Sequence, residues 1–234
     1  MKKLLIMLLV SSAATMGAQA QEVYLQGGLN LANITKSEDG QTEDNNVLAT
    51  FNAGGMVRFG ISKMFDLESG LLFTGRGSKS ETYFTSSKDD NYVKSKFNAY
   101  YVELPLNAVV KLPLTPSGKS NVFFHAGPYV AMGVTGKSRT ESKFLGITST
   151  STNDVKFNDD DPTTSQQEDA AYDKLKRFDY GANIGGGIDL GPVMFKVNYG
   201  IGLAKINSKQ EDNSENEKNK YRTLSFTVGI PLGR

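Results

Sequence analysis

Apolar and polar residues alternate with a period of two through most of this chain. Between 100 and 112, Tyr100, Val102, Leu104, Leu106, Ala108, Val110 and Leu112 fall on one face. Tyr101, Glu103, Pro105, Asn107, Val109 and Lys111 fall on the other. Successive strand side chains point to opposite faces, so the stretch predicts a strand with one apolar face and one that collects polar groups. The same split recurs at 178–190, 193–203 and 221–232, and more weakly at 23–31, 51–61, 67–77 and 121–134, which makes eight segments.

Segments of about ten residues with this dyad match the length and pattern of a transmembrane β-strand. The polar faces are rich in Gly, Asn, Ser and Thr rather than the Lys and Glu that cover a solvated sheet. The apolar faces carry Phe51, Phe59, Phe73, Tyr100, Phe178, Tyr180 and Tyr199 near segment ends, where an aromatic girdle would lie. Small polar groups inward and large apolar groups outward predict an all-β fold, an eight-stranded antiparallel up-and-down transmembrane β-barrel. A soluble barrel or sandwich is the alternative, and the links between segments speak against it. Short links at 62–66, 113–120 and 191–192 alternate with long polar ones, as tight periplasmic turns alternate with external loops. The longest link, 137–174, holds few apolar residues and many Ser, Thr and Asp, and is expected to be exposed and without fixed structure.

Composition narrows the chemistry. There is no Cys and one His, His125, so thiolate chemistry and multi-histidine metal sites are excluded. Twenty-six basic residues face twenty-five acidic ones, which gives no electrostatic case for nucleic acid. The opening residues have the layout of a secretory signal peptide: Lys2 and Lys3, an apolar Leu4 to Val10, then Ala18-Gln19-Ala20. The expected organisation is a leader at 1–20 and a barrel domain at 21–234. The expected location is the outer membrane, with its lipid as the first partner and no cofactor.

Three stretches resemble a known family. "YYVELPLNAVVKL" resembles the hallmark strand of the Bacteroidetes outer-membrane β-barrel domain proteins, the PorT-like group. "FFHAGPYVAMGVTGKS" and "RFDYGANIGGGIDLG" are similar to two further strands of that family. The resemblance implies the fold and the outer membrane, not a reaction. The family takes its name from a protein of gliding and type IX secretion machinery, which leaves a secretion role open.

The candidate site is a set of charges on the inward faces: Arg58, Glu68, Arg76, Glu103, Lys111, Asp179, Asp189 and Lys196. Four are positive and four negative, so the lumen can be neutral. Pairing the third and fourth segments with Leu67 opposite Leu112 sets Arg76 against Glu103 and Glu68 against Lys111, with Arg58 diagonal to Glu68. His125 also points inward and reads as a hydrogen-bonded lumen histidine, because no nucleophile-elbow motif accompanies it. Asp159-Asp160-Asp161 reads as a solvated charge run. Eight strands leave a lumen just wide enough to be filled by side chains. The functional reading is a non-enzymatic structural or interaction barrel, a monomer whose external loops meet a protein or ligand. The alternative is a barrel-embedded enzyme or narrow transporter.

Overall fold

The computed structural model describes residues 21–35, 37–38, 41–42, 47–84, 91–116, 120–157, 174–206 and 219–232. The leader at 1–20 and the acidic run at 159–161 lie outside the described residues. Nine strands carry the architecture: β1 Gln21–Thr35, β2 Leu48–Gly60, β3 Phe65–Tyr83, β4 Tyr92–Pro113, β5 Asn121–Phe144, β6 Ile147–Asp154, β7 Phe178–Asp189, β8 Met194–Gly202 and β9 Lys220–Leu232.

Eight of them close into an antiparallel ring in the order β1–β2–β3–β4–β5–β7–β8–β9, with β9 returning to β1. Closure removes every free edge within the ring, which a bilayer requires because it offers no water to unpaired backbone groups. The alternation places Leu25, Leu71, Leu104, Phe124, Val130 and Ile184 outward and about half exposed. Asn30, Glu68, Asn107, His125 and Asp179 are buried inside. Phe51, Phe73 and Tyr100 form one outward ring cluster, with Phe73 and Tyr100 stacked at 5.2 Å.

Strand β6 stands outside the ring and corrects the expectation of no fixed structure for 137–157; residues 158–173 of that link lie outside the described residues. Residues 137–144 prolong β5 and pair with β6 from Lys137↔Asp154 to Phe144↔Ile147. Leu145 and Gly146 make the turn, both with positive φ (48° and 82°), as a two-residue hairpin turn demands. The apolar residues in this link are few, but they are well placed. Val155 and Leu175 are buried at the mouth of the barrel, and Phe157 meets the Tyr101 ring edge-on at 5.6 Å. Composition averaged over the link hides these three anchors.

The β3–β4 register also differs from the expected one. Leu67 lies opposite Ala108, Glu68 opposite Asn107 and Arg76 opposite Ala99, a shift of four residues. The ladder runs on past the apolar segments through seven more pairs, from Gly77↔Asn98 to Tyr83↔Tyr92, and these fix it. A shift of even length keeps every side chain on its face, so the inward set survives the error while the neighbour relations change.

Candidate functional site

The lumen is built by matching bulk to vacancy across the β5–β7 seam. Phe123, His125 and Tyr129 of β5 point inward, and their partners on β7 are Gly187, Gly185 and Gly181. A Cβ at Gly187 would come 2.6 Å from the Phe123 ring, and one at Gly185 2.6 Å from His125. The "GANIGGG" stretch of β7 is therefore the space that lets three large β5 side chains lie across the lumen.

Two charge clusters use that space. The first lies toward the short turns. Arg58 of β2 sits directly opposite Glu68 of β3, with Nη2 2.8 Å from Oε2. Lys196 Nζ of β8 reaches the other carboxylate oxygen at 2.5 Å. In the ring, β8 is four strands from β3 in either direction, so this bridge crosses the whole diameter. Asn107 Nδ2 donates to Glu68 Oε1 at 3.2 Å, and Lys196 donates to Tyr24 Oη at 3.3 Å. The Arg58 guanidinium lies 4.7 Å from the Phe123 ring centroid and 5.7 Å from that of Tyr24. Neither Arg58 nor Glu68 is exposed beyond 2%.

The second cluster lies toward the long links. Arg76 of β3 binds Glu103 of β4 through Nη2 and Asp179 of β7 through Nη1. Tyr129 Oη accepts from Arg76 at 3.2 Å and donates to Asp179 Oδ2 at 3.0 Å. The rings of Tyr101, Tyr129 and Tyr221 surround the guanidinium at 5.3, 4.6 and 5.8 Å. Polar links join the two levels. Asn183 Nδ2 donates to Glu103 Oε1 at 3.1 Å, Asn198 Nδ2 donates to Asn183 Oδ1 at 3.2 Å, and His125 Nε2 lies 2.9 Å from Asn198 Oδ1. A cavity of about 40 Å³ lies between the levels, lined by residues that include Asn52, Thr74, Asn107, His125, Asn183 and Asn198. That is room for a water or a few, with several polar partners within the lining.

Six of the eight residues singled out in the sequence meet in these clusters, and two do not. Lys111 bonds Asp66 at 2.7 Å rather than Glu68, because the four-residue shift carries it toward the short-turn end. Asp189 is engaged at the β7–β8 turn, where it accepts from Gly191 N at 2.8 Å and from Asn121 Nδ2 at 3.5 Å. Arg58 is a direct neighbour of Glu68, not a diagonal one. Sequence reasoning missed Asp66, which lies one residue before the segment start assumed, although its even number matches Glu68 and Arg76. It placed Tyr101 on the polar face but did not count the inward tyrosines as part of the site, although they share their faces with the charges they surround.

The outer membrane protein beta-barrel domain model matches residues 18–208. The chain belongs to that family. Its place is the outer membrane, and the outward apolar faces are its lipid contact. Several solved barrels are similar to this family member. Ail, the attachment invasion locus protein of Yersinia pestis, is 12% identical over 92% of this chain and 100% of its own, with a TM-score of 0.39. Neisserial surface protein A is 12% identical over 90% and 97%, with a TM-score of 0.40. OprG from Pseudomonas aeruginosa is 9% identical over 93% and 99%, with a TM-score of 0.43. Among curated proteins nothing matches the chain.

Proposed function

We propose that this protein is a closed, non-conducting and non-enzymatic barrel that holds an interaction element outside the cell. The observation that carries the reading is the Glu68–Lys196 bridge, which spans the lumen between diametrically opposed strands. The charged residues then serve to seal and stiffen the cylinder, with the cluster of Arg76, Glu103 and Asp179 as a second barrier. The long links face outward and the short turns face the periplasm. The sheet formed by the far ends of β3, β4 and β5 with β6 is the element that meets a protein or ligand. Residues 1–20 act as the export leader, the barrel works as a monomer, and within its family it belongs with the PorT-like barrels of Bacteroidetes, which its strand motifs resemble.

Planar-bilayer recording tests the closed lumen: the wild-type protein should give no conductance steps, and Glu68→Leu with Lys196→Met should leave it closed or admit a small leak. Regular steps from the wild type would sink the reading. Thiol labelling of Leu145→Cys on intact cells tests orientation, and labelling only after permeabilisation would reverse it.

A further inference from the structure

The outer face of the projecting sheet carries a row of cations that its own fold does not explain. Lys79 of β3 lies directly opposite Lys96 of β4, and Lys96 directly opposite Arg139 of β5. Like charges at such neighbouring positions, roughly 5 Å apart, destabilise a sheet. The compensation available is partial: Lys79 is 3.9 Å from Glu81, and Arg139 is 3.3 Å from Glu141, each within its own strand. Lys96, at the centre, is exposed and has no ion pair among the described residues. The rows on either side add Lys94 and Lys137, and the next row outward adds Lys143, against Glu81, Glu141 and Asp154. Six cations against three acids leave this face at a net +3.

Its height matters as much as its charge. Lys96 shares a strand and a face with Tyr100, four residues further in, and Tyr100 stacks with Phe73 in the outward aromatic cluster. Aromatic clusters of this kind sit where hydrocarbon meets headgroups. Four residues of a strand tilted by about 40° rise roughly 10 Å along the membrane normal. That sets the row at the depth of the headgroups, on the side of the sheet continuous with the lipid-facing wall.

We propose that Lys79, Lys96 and Arg139 form a binding site for the phosphate groups of lipids in the surrounding leaflet, each phosphate seated between adjacent cations of the row. The proposal rests on the placement of the β3–β5 ends outside the bilayer given above. It explains why a destabilising row stands where it does: the compensating charge comes from the membrane.

Spin-labelled phosphatidic acid and spin-labelled phosphatidylcholine, each diluted in phosphatidylcholine vesicles holding the folded barrel, measure the preference of the lipid shell. The wild type should favour phosphatidic acid several-fold, given the attraction of each surface cation for anionic headgroups. Lys79→Gln, Lys96→Gln and Arg139→Gln together should bring the ratio near one. Lys96→Glu alone should also abolish the preference, while keeping or raising the unfolding midpoint, because it now pairs with both neighbours. A merely structural row would not separate lipid preference from stability in that way. Lys94→Gln is the control, since Lys94 already lies 4.4 Å over the Tyr92 ring. Equal loss in the control, or an unchanged ratio in the triple variant, overturns the site. So does inorganic phosphate that removes the preference where chloride of equal ionic strength does not, which would mark a soluble-anion site. A barrel that never shows a heat-modifiable folded form in these vesicles fails the membrane reading itself, and is thereby distinguished.

Discussion

The two lumen clusters are built from the same residue types in opposite proportion. Toward the short turns, two cations share one carboxylate; toward the long links, one cation holds two carboxylates. Neither level is neutral alone, at +1 and −1, and the pair balances. They also differ in reach. Arg58 and Glu68 are hairpin neighbours ten residues apart in sequence, to which Lys196 is added from the far wall. Arg76 gathers its partners from β4 and β7, and no two of the three residues are direct cross-strand partners. In a barrel this narrow, ion pairs are set by height and by which face a residue occupies more than by register. A three-membered cluster also responds to mutation differently from a pair.

The largest effect should come from Arg76→Met, which leaves Glu103 and Asp179 facing each other with no cation between them. We expect a loss of about 3–5 kcal/mol, read from the urea midpoint at which the heat-modifiable band disappears. A loss below about 1 kcal/mol would mean that water supplies the compensation. Glu68→Gln keeps a hydrogen-bonding group but strands two cations, and should cost about 3 kcal/mol. If it proves much milder than Arg76→Met, the clusters are not equivalent seals.

A sharper test compares charge swaps. Arg76→Glu with Glu103→Arg should recover little, because a carboxylate at 76 would then confront Asp179. Asp66→Lys with Lys111→Asp exchanges an isolated pair and should return to within about 1 kcal/mol of wild type. Full recovery in the first case would show that Asp179 is not a true third member. The last comparison, Gly187→Ala, is steric rather than electrostatic. Its Cβ would meet the Phe195 carbonyl oxygen and, at 2.6 Å, the Phe123 ring that covers Arg58, and the substitution should cost about 1–3 kcal/mol without altering Arg76 or its partners. Equal perturbation of the Tyr129 and Tyr221 resonances would show that the two levels move as one body.

The faces of the strands were legible because the dyad survives any even slip. Lys196, Glu68, Arg76, Glu103 and Asp179 could all be placed inward from their spacing alone. Which of them touch was not legible. The β3–β4 register depends on strand ends beyond the apolar segments, and a span such as Glu68 to Lys196, 128 residues apart, leaves no local trace. Parity, carried one residue past the assumed strand start, would have found Asp66. The β6 hairpin stayed hidden because its anchors, Val155, Phe157 and Leu175, are single residues in a polar background.

Those anchors have a consequence for engineering. Val155 N donates to Gly136 O at 3.0 Å, and Gly133 N donates to Arg177 O at 2.7 Å, so the chain leaves and rejoins β5 at nearly one place. A segment whose two ends are fixed side by side can change length at the cost of loop entropy alone, only ~0.6 kcal/mol for each doubling. The length of chain inserted between these two points can thus be changed by design at little cost to the packing of the cylinder beneath. This is the place where a foreign epitope could be inserted without disturbing the wall.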